Sequence, residues 1–214
     1  MKPLKGIRVL DFSTLLPGPL ATLMLVDAGA EVIKVEKIGG EDLRKSKPFI
    51  KGNSLLFSIL NRGKKSIEVD LKNEKNRVKI LKLVKSADVL VEQFRPGVMK
   101  RLGLDWETLK KINKKLVYCS ITGYGQNGPK KLVAGHDINY LAESGLLSLS
   151  TDKNGTPILP NTQIADIAGG SYPAFMNILL GLLLAIRKGT GCHLDISMYE
   201  NMIPLAWLGL AHYS

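Results

Sequence analysis

The sequence has few of the features that mark secreted or membrane proteins. Its 214 residues include two cysteines, Cys119 and Cys192, too few for a disulfide framework, and both lie in apolar segments typical of buried strands. The longest apolar run, residues 175–186, has 12 residues and predicts a buried helix, because about 20 are needed to span a bilayer. No signal peptide is recognisable. We therefore expect a cytoplasmic protein from a reducing compartment, with no membrane partner.

Aromatic residues are also scarce, at 6% of the sequence, and no recognised nucleic-acid-binding module accompanies them. This scarcity argues against a nucleic-acid partner, although 30 Lys and Arg against 19 Asp and Glu give a net charge of +11. Such a charge favours an anionic partner. Two interpretations stay open: a solvated lysine-rich surface without a specific partner, and a site for a small polyanion such as a nucleotide or coenzyme.

Strand-like and helix-like segments alternate over the first 128 residues. The strand-like segments are residues 7–13, 31–36, 65–71, 88–94 and 116–123. Their alternation with helical segments predicts an α/β fold, a Rossmann-like doubly wound parallel sheet that binds ligands at the carboxyl ends of its strands. Helices at about 136–145 and 165–187 and a strand at 193–198 should follow. Because the sequence stops inside an apolar segment without a helix cap, we expect the N-terminal part of a longer protein.

One loop carries a glycine pattern with a possible dinucleotide interpretation. Gly123, Gly125 and Gly128 form G-x-G-x-x-G, which in dinucleotide-binding folds follows a strand, opens a helix and precedes an acidic residue about 20 positions later. Here Pro129 and two lysines follow the glycines, and a helix end and turn occupy the acidic position. We therefore reject NAD binding and interpret the glycines as a tight turn at a strand end.

Two titratable positions follow this loop. His136, with Asp137 beside it, comes after the last strand of the predicted sheet, and Asp166 begins an apolar helix. The structural interpretation makes His136 a packed residue and Asp166 a helix cap. In the catalytic interpretation, a carboxylate at a helix N-terminus acts as base or nucleophile while free backbone N–H groups stabilise an oxyanion. The residue types alone leave both alternatives open.

Several segments, in order along nearly the whole chain, carry a family resemblance. They are KPLKGIRVLDFSTLLPGPLAT, DAGAEVIKVE, NRGKKSIEVDLK, VLVEQFRPGVMKRLGL, SITGYGQNGP, AGHDINYLAESG, ADIAGGSYPA and RKGTGCHLDISMYE. In these segments the sequence resembles the family III CoA-transferases, and among them it is most similar to the α-methylacyl-CoA racemases. His136 in GHDIN favours the racemases, because transferases typically have an aromatic residue there.

The resemblance implies a CoA site and an assembly. Residues 1–214 would be the N-terminal part of a CoA-binding, Rossmann-like large domain without the smaller C-terminal domain, and the full-length protein would be an interlocked homodimer. The substrate would be an acyl-CoA thioester, so that CoA is part of the substrate and no separate cofactor or metal is expected. The CoA-binding residues implied are Lys37, Lys64, Phe94, Arg95, Gly97 and Arg101. Lys37 stands where many relatives have arginine, and lysine keeps the charge but loses bidentate phosphate geometry.

The resemblance also implies a reaction. Because the α-proton of a thioester is weakly acidic, its removal needs a positioned base and stabilisation of the enolate oxygen, and inversion needs a second acid on the other face. His136 and Asp166 would be this pair, with Asp137 tuning the site, which predicts an isomerase of 2-methylacyl-CoA in fatty acid metabolism. Two alternatives remain. In a CoA-transferase Asp166 would instead attack the thioester and form an aspartyl-CoA intermediate, and a truncated fragment would bind CoA without catalysis.

Overall fold

The computed structural model of the chain describes residues 1–213, and a six-stranded sheet lies at its centre. The strands are β1 (Arg8–Asp11), β2 (Glu31–Glu36), β3 (Phe49–Ile50), β4 (Asn53–Ser54), β5 (Lys65–Glu68), β6 (Val89–Glu92), β7 (Val117–Thr122) and β8 (Cys192–Ser197). The central sheet has the order β5-β2-β1-β6-β7-β8, while β3 and β4 form a separate hairpin. All neighbours in the central sheet are parallel, as the alternating pattern predicted.

The direction in which the sheet grows reverses between β1 and β6. From β1 the chain builds outward through β2 to β5, then returns to the other side of β1 and continues through β6 and β7 to β8. Val9 of β1 is in register with Val32 of β2 on one side and Val89 of β6 on the other. This order confirms the doubly wound sheet. It also opens a crevice at the carboxyl ends of β1 and β6, the place where open α/β sheets bind ligands.

Helices cover both faces of the sheet. They are α1 (Pro17–Asp27), α2 (Leu55–Asn61), α3 (Glu74–Val84), α4 (Val98–Arg101), α5 (Trp106–Leu109), α6 (Asp137–Glu143), α7 (Tyr172–Lys188) and α8 (Trp207–Tyr213). One core contains Leu25 of α1 and Ile178 of α7, and the other contains Ile80 of α3 and Leu109 of α5. Because both faces are covered, β6 and β7 are buried along their whole length.

The segment between β2 and β5 contains elements that the sequence pattern did not predict. It holds the hairpin of β3 and β4 and the seven-residue helix α2. The side chain of Ser54 caps α2 by accepting a hydrogen bond from the backbone N–H of Phe57 at 3.3 Å. These elements are too short to show a clear hydrophobic period, since two turns of helix give few repeats.

The last long helix is buried on one side. It begins as a π-helix, Ala165–Ser171, and continues as α7, and together these 24 residues are long and apolar enough to cross a membrane by length and composition. One face packs on the sheet, where a side chain at Gly181 would come within 2.8 Å of Val117. On the other face Leu180 and Ile186 are 63% and 75% exposed. The predicted helix is confirmed, but it is buried only on the side that faces the sheet.

Candidate functional site

A cavity of about 360 Å³ lies over the crevice at the carboxyl edge of the sheet. Segments that follow β1, β6 and β7 supply three of its walls, and α6 and the π-helix supply the others. Its lining includes Leu15, Pro17, Gln93, Phe94, Arg95, Thr122, Gly123, Tyr124, His136, Asn139, Tyr140 and Asp166. The cavity therefore brings together two of the three predicted catalytic residues and two of the predicted CoA contacts.

A second cavity, of about 800 Å³, adjoins the first, and its lining combines the polar Asn161, Thr162 and Gln163 with six leucines. These are Leu15, Leu16, Leu43, Leu56, Leu60 and Leu159. The two cavities share Leu15, His136 and Asp166. Among the described residues that line the second cavity there is no Lys or Arg, and its acidic groups are Asp137 and Asp166. An extended ligand that occupies both cavities would have its middle beside His136 and Asp166.

Glycines fix the position of His136. A side chain at Gly123 would come within 2.5 Å of the Tyr140 hydroxyl, and one at Gly135 within 2.7 Å of the Tyr140 ring. Both positions must therefore be glycine for the buried Tyr140 to seat α6 against the end of β7. His136 precedes α6, and its backbone N–H donates to Oδ1 of Asn139 at 2.9 Å. Its side chain is exposed at the junction of the two cavities.

The loop that carries the G-x-G-x-x-G pattern does not have the conformation of a dinucleotide site. After β7 the backbone runs through turns, with positive φ angles of 81° at Gly125 and 84° at Gly128, and no helix opens before α6. The interpretation as a tight loop is confirmed. The pattern serves the site indirectly, because it delivers the chain from the end of β7 to His136.

Asp166 lies in the first turn of the π-helix, a form that often occurs at functional sites. A side chain at Gly169 would come within 2.6 Å of the Met198 carbonyl oxygen, and one at Gly170 within 2.9 Å of Pro17. The paired glycines thus let this segment pack against the end of β8 and the start of α1. The hydroxyl of Ser171 donates to the Pro17 carbonyl oxygen at 2.8 Å and holds the same contact.

The Asp137 side chain contacts the backbone of Asp166. Oδ1 of Asp137 accepts the N–H of Asp166 at 2.9 Å, so this N–H is not free to stabilise an oxyanion. Burial, followed by the negative charge of Asp137, raises the pKa of Asp166 to about 6, against an opposing effect of His136. A carboxyl group with this pKa can both accept and return a proton near neutral pH. Asp137 thus contacts Asp166 and adds a negative charge beside it, while its predicted tuning of the site stays a prediction.

The predicted CoA contacts lie in three separate places. Phe94 and Arg95 line the first cavity. Gly97 has a positive φ of 87° and precedes α4, and a side chain there would lie 3.7 Å from the guanidinium of Arg101. These four residues form one continuous rim beyond β6. Lys37 lies elsewhere, exposed beyond β2 and paired with Asp42 at 2.6 Å.

Lys64 is buried in an ionic network below the cavities. Its side chain is 1% exposed, and Nζ lies 3.0 Å from Oδ2 of Asp11, 2.9 Å from the Pro19 carbonyl oxygen and 2.9 Å from Oδ1 of Asn61. Burial alone would raise the pKa of Asp11, but Lys64 and then Lys34 overcome this effect and lower it. All three ammonium donors of Lys64 are engaged, so we do not propose a phosphate contact for it.

Methionine in place of Lys64 should lower the free energy of unfolding by about 3 kcal/mol, because it leaves the buried Asp11 carboxylate without its nearest cation. Urea denaturation followed by circular dichroism measures this change. The matched control is Lys65→Met, one residue away, whose ammonium is exposed and pairs with Glu31 at the surface. The control should cost less than about 1 kcal/mol. Equal losses in the two variants would contradict the structural role of Lys64.

No group of three or more His, Cys, Asp or Glu side chains within the described residues 1–213 could hold a metal ion. The candidate site consists of a histidine and a carboxyl group between a basic rim and a leucine-rich cavity. The sequence matches the model of CoA-transferase family III over residues 4–213.

The chain belongs to CoA-transferase family III. It is 40% identical over 215 residues to succinyl-CoA:glutarate CoA-transferase of Mus musculus, and the match covers 100% of this chain and 49% of that protein. It is also 40% identical over 203 residues to α-methylacyl-CoA racemase of Mus musculus, which covers 95% of this chain and 50% of that protein. The chain thus spans about half the length of these curated relatives.

Solved structures of the family share the fold. The crystal structure of Rv3272 from M. tuberculosis superimposes with a TM-score of 0.91 at 39% identity, over 99% of this chain and 59% of that chain. The predicted family and α/β fold are confirmed. Transferases and racemases match this family III chain at similar identity, so the reaction has to be argued from the site.

Two features of this family III site were not found from the sequence. The leucine-rich cavity combines residues from segments far apart in the chain, such as Leu16, Leu56 and Leu159. Tyr140 is the second feature, since its role depends on contacts with Gly123 and Gly135. The start of α6, the helix that carries Tyr140, did have a partial signal in the sequence. Asn139 stands three residues after His136, which is the spacing of a helix capping box.

Proposed function

We propose that the protein is an α-methylacyl-CoA racemase, which inverts the 2-methyl centre of acyl-CoA thioesters. The observation that carries this proposal is the placement of His136 and Asp166 at the junction of the two cavities. A CoA thioester laid along the crevice would have its pantetheine arm beside Phe94 and Arg95 and its acyl chain among the leucines. The α-carbon would then lie between the two titratable groups.

The proposed reaction needs one base and one acid. In one direction the neutral imidazole of His136 takes the α-proton, the C–H electron pair forms the enolate, and protonated Asp166 returns a proton to the opposite face. In the other direction the Asp166 carboxylate takes the proton and the imidazolium of His136 returns one. The pKa of about 6 for Asp166 supports both roles, because both of its protonation states are accessible near neutral pH.

The leucine-rich cavity supports an apolar acyl group. A dicarboxylic acyl group would bring a second carboxylate against the walls of this cavity. The acidic residues of these walls are Asp137 and Asp166, and the described lining residues include no Lys or Arg. A buried carboxylate without a cation is strongly disfavoured. We therefore propose a branched, apolar acyl chain as the substrate, in keeping with a 2-methylacyl-CoA in fatty acid metabolism.

CoA transfer is the second candidate function, favoured by the similarity to the succinyl-CoA:glutarate CoA-transferase. In this reaction an oxygen of the Asp166 carboxylate attacks the thioester carbonyl, the C–S bond breaks, and a mixed anhydride and CoA thiolate form. The thiolate then attacks the aspartyl carbonyl and displaces the first carboxylate, which gives aspartyl-CoA. An acceptor carboxylate repeats the two steps in reverse order, and Asp166 is regenerated. His136 has no required role in this sequence.

Incubation of the purified protein with a 2-methylacyl-CoA in deuterium oxide tests the proposal. We expect the α-proton signal to disappear from the NMR spectrum while optical purity is lost. Transfer of CoA to an added carboxylic acid without such exchange would contradict the racemase and support the transferase. Binding of CoA with neither reaction would support a non-catalytic CoA-binding protein.

Alanine in place of Arg95 or Arg101 should weaken CoA binding about tenfold, the cost of one charge-assisted contact to phosphate. The dissociation constant should also depend less on salt concentration, because one ionic contact is lost. Titration calorimetry at two ionic strengths measures both effects. Lys85→Ala is the matched control, since Lys85 is exposed just before β6, at the opposite edge of the sheet. If the control weakened binding equally, a specific phosphate site at this rim would be ruled out.

We further propose that the protein acts in the cytoplasm and that its full-length form is an interlocked homodimer, with CoA as part of the substrate and no separate cofactor. Residues 1–214 would form the N-terminal part of the CoA-binding large domain. The outward apolar face of α7, with Met176, Leu180 and Ile186 more than half exposed, supports a subunit interface. Sedimentation equilibrium tests the assembly, and a monomer at micromolar concentration would contradict it.

A further inference from the structure

A buried glutamate lies directly beneath the rim that carries Phe94 and Arg95. Glu92 is the last residue of β6, and it is 3% exposed. Its Oε2 accepts the backbone N–H of Phe94 at 2.8 Å. Among the described residues 1–213 the structure shows no ion pair to this carboxyl group. Burial of a carboxyl group without a cation is costly, so its position here demands a reason.

The other neighbours of Glu92 are polar but do not neutralise it. The Ser120 side chain on β7 favours the ionised form of Glu92. Its hydroxyl also lies 3.0 Å from Nε2 of His193 on β8. Asp195 on β8 adds a negative charge, and Tyr118 and Cys119 on β7 are titratable groups close to Glu92. Burial and then Asp195 raise the pKa of Glu92 to about 7, against the opposing effects of Ser120 and the Phe94 N–H.

The segment above Glu92 is held at two points. Oε1 of Gln93 accepts the backbone N–H of Gly18 at 3.1 Å, which ties the segment to the start of α1. The second point is the hydrogen bond from the Phe94 backbone N–H to the Glu92 carboxyl group at the end of β6. Since Phe94 and Arg95 line the first cavity, the backbone at Phe94 determines where both side chains meet a ligand.

We propose that Glu92 is a positioning residue for the CoA site, in which its carboxyl group fixes the backbone at Phe94 and thereby sets Phe94 and Arg95 against the ligand. The proposal rests on the proposed acyl-CoA function for the identity of the ligand, but not on the choice between racemase and transferase. Ionised Glu92 also places a negative charge beside an anionic ligand, so binding of CoA should favour the neutral carboxyl group and weaken as the pH rises through about 7.

Two substitutions separate positioning from a general loss of structure. Glu92→Ala removes the acceptor for the Phe94 N–H and should raise the dissociation constant for CoA about tenfold. The KM for the acyl-CoA should rise in parallel, with kcat within about twofold of the wild type, because Glu92 does not touch the reacting atoms. Glu92→Gln keeps an acceptor oxygen without a charge, so it should restore binding at pH 6 to within about twofold of the wild type.

Binding of CoA to Glu92→Gln from pH 6 to 8 is the second measurement, and it applies even if the alanine variant fails to fold. The wild-type protein should bind more weakly as the pH rises, and Glu92→Gln should remove most of this dependence. Glu74→Gln, an exposed glutamate at the start of α3, is the matched control and should behave as the wild type. A glutamine variant with the weakened binding expected for alanine would overturn the positioning role of Glu92, and one with the wild-type pH profile would overturn Glu92 as the source of the pH dependence. Wild-type protein that binds CoA but exchanges no α-proton would contradict the racemase proposal alone.

Discussion

Asparagine in place of Asp166 should lower the rate of α-proton exchange about 10³-fold or more, because the amide can neither accept nor return the proton. It should abolish CoA transfer as well, since an amide oxygen is too weak a nucleophile to form the mixed anhydride. The substitution keeps the shape of the side chain, so affinity for CoA should stay within about twofold of the wild type. NMR exchange rates and titration calorimetry on the same preparation measure the two effects.

The pH dependence adds a second test of Asp166. In the direction where the carboxylate is the base, the exchange rate should rise with pH through about 6, the raised pKa of Asp166. Asp137→Asn removes a negative charge that helps to raise the pKa of Asp166, so the acidic limb of the exchange-rate profile should move to lower pH. A variant whose profile coincides with that of the wild type would exclude Asp137 as the group that tunes Asp166.

Stability should change in the opposite sense to activity. The pKa of Asp166 is higher in the folded protein than its ordinary value of 3.8, so its contribution to stability is full below that value and is lost as the pH rises through about 6. At pH 8 Asp166→Asn should therefore raise the free energy of unfolding by about 1–2 kcal/mol, an estimate reduced for partial exposure. An inactive variant with this gain in stability indicates a functional carboxylate. An active variant with lower stability would make Asp166 a structural residue of the π-helix.

The sheet could be predicted from the sequence because its signal is local. Segments such as 31–36 and 116–123 are rich in β-branched residues over the length of a strand, and they coincide with β2 and β7 to within a residue. Their alternation with helices fixes a parallel sheet, and a parallel sheet places its ligands at the carboxyl edge. The approximate location of the site therefore followed from the pattern before any contact was known.

Lys64 shows where such reasoning stops. A lysine among polar neighbours in NRGKKS reads as solvent-exposed, and the family resemblance implied a CoA contact. Its burial depends on Asp11, which is 53 residues away in the chain and reaches it only when β1, α1 and α2 are assembled. The leucine-rich cavity is non-local in the same way. Periodicity reports which face of an element is apolar, but not which distant faces will share a cavity.

Alanine in place of His136 should lower the rate of α-proton exchange about 10³-fold or more, as expected for loss of a general base in one direction and a general acid in the other. CoA affinity should be unchanged within about twofold, because His136 is exposed at the junction of the cavities and is not one of the predicted phosphate contacts. The measurement is again deuterium exchange, with calorimetric CoA binding as the control for folding.

His136→Ala and Asp166→Asn together distinguish the two reactions. A racemase needs both groups, so either substitution should stop exchange. A transferase needs the Asp166 carboxylate as nucleophile and leaves His136 without a role, so His136→Ala should then transfer CoA at the wild-type rate while Asp166→Asn does not. Exchange that survives in His136→Ala would remove the histidine from the mechanism. Because both side chains face the same junction, the pattern of losses reports their chemistry and not their location.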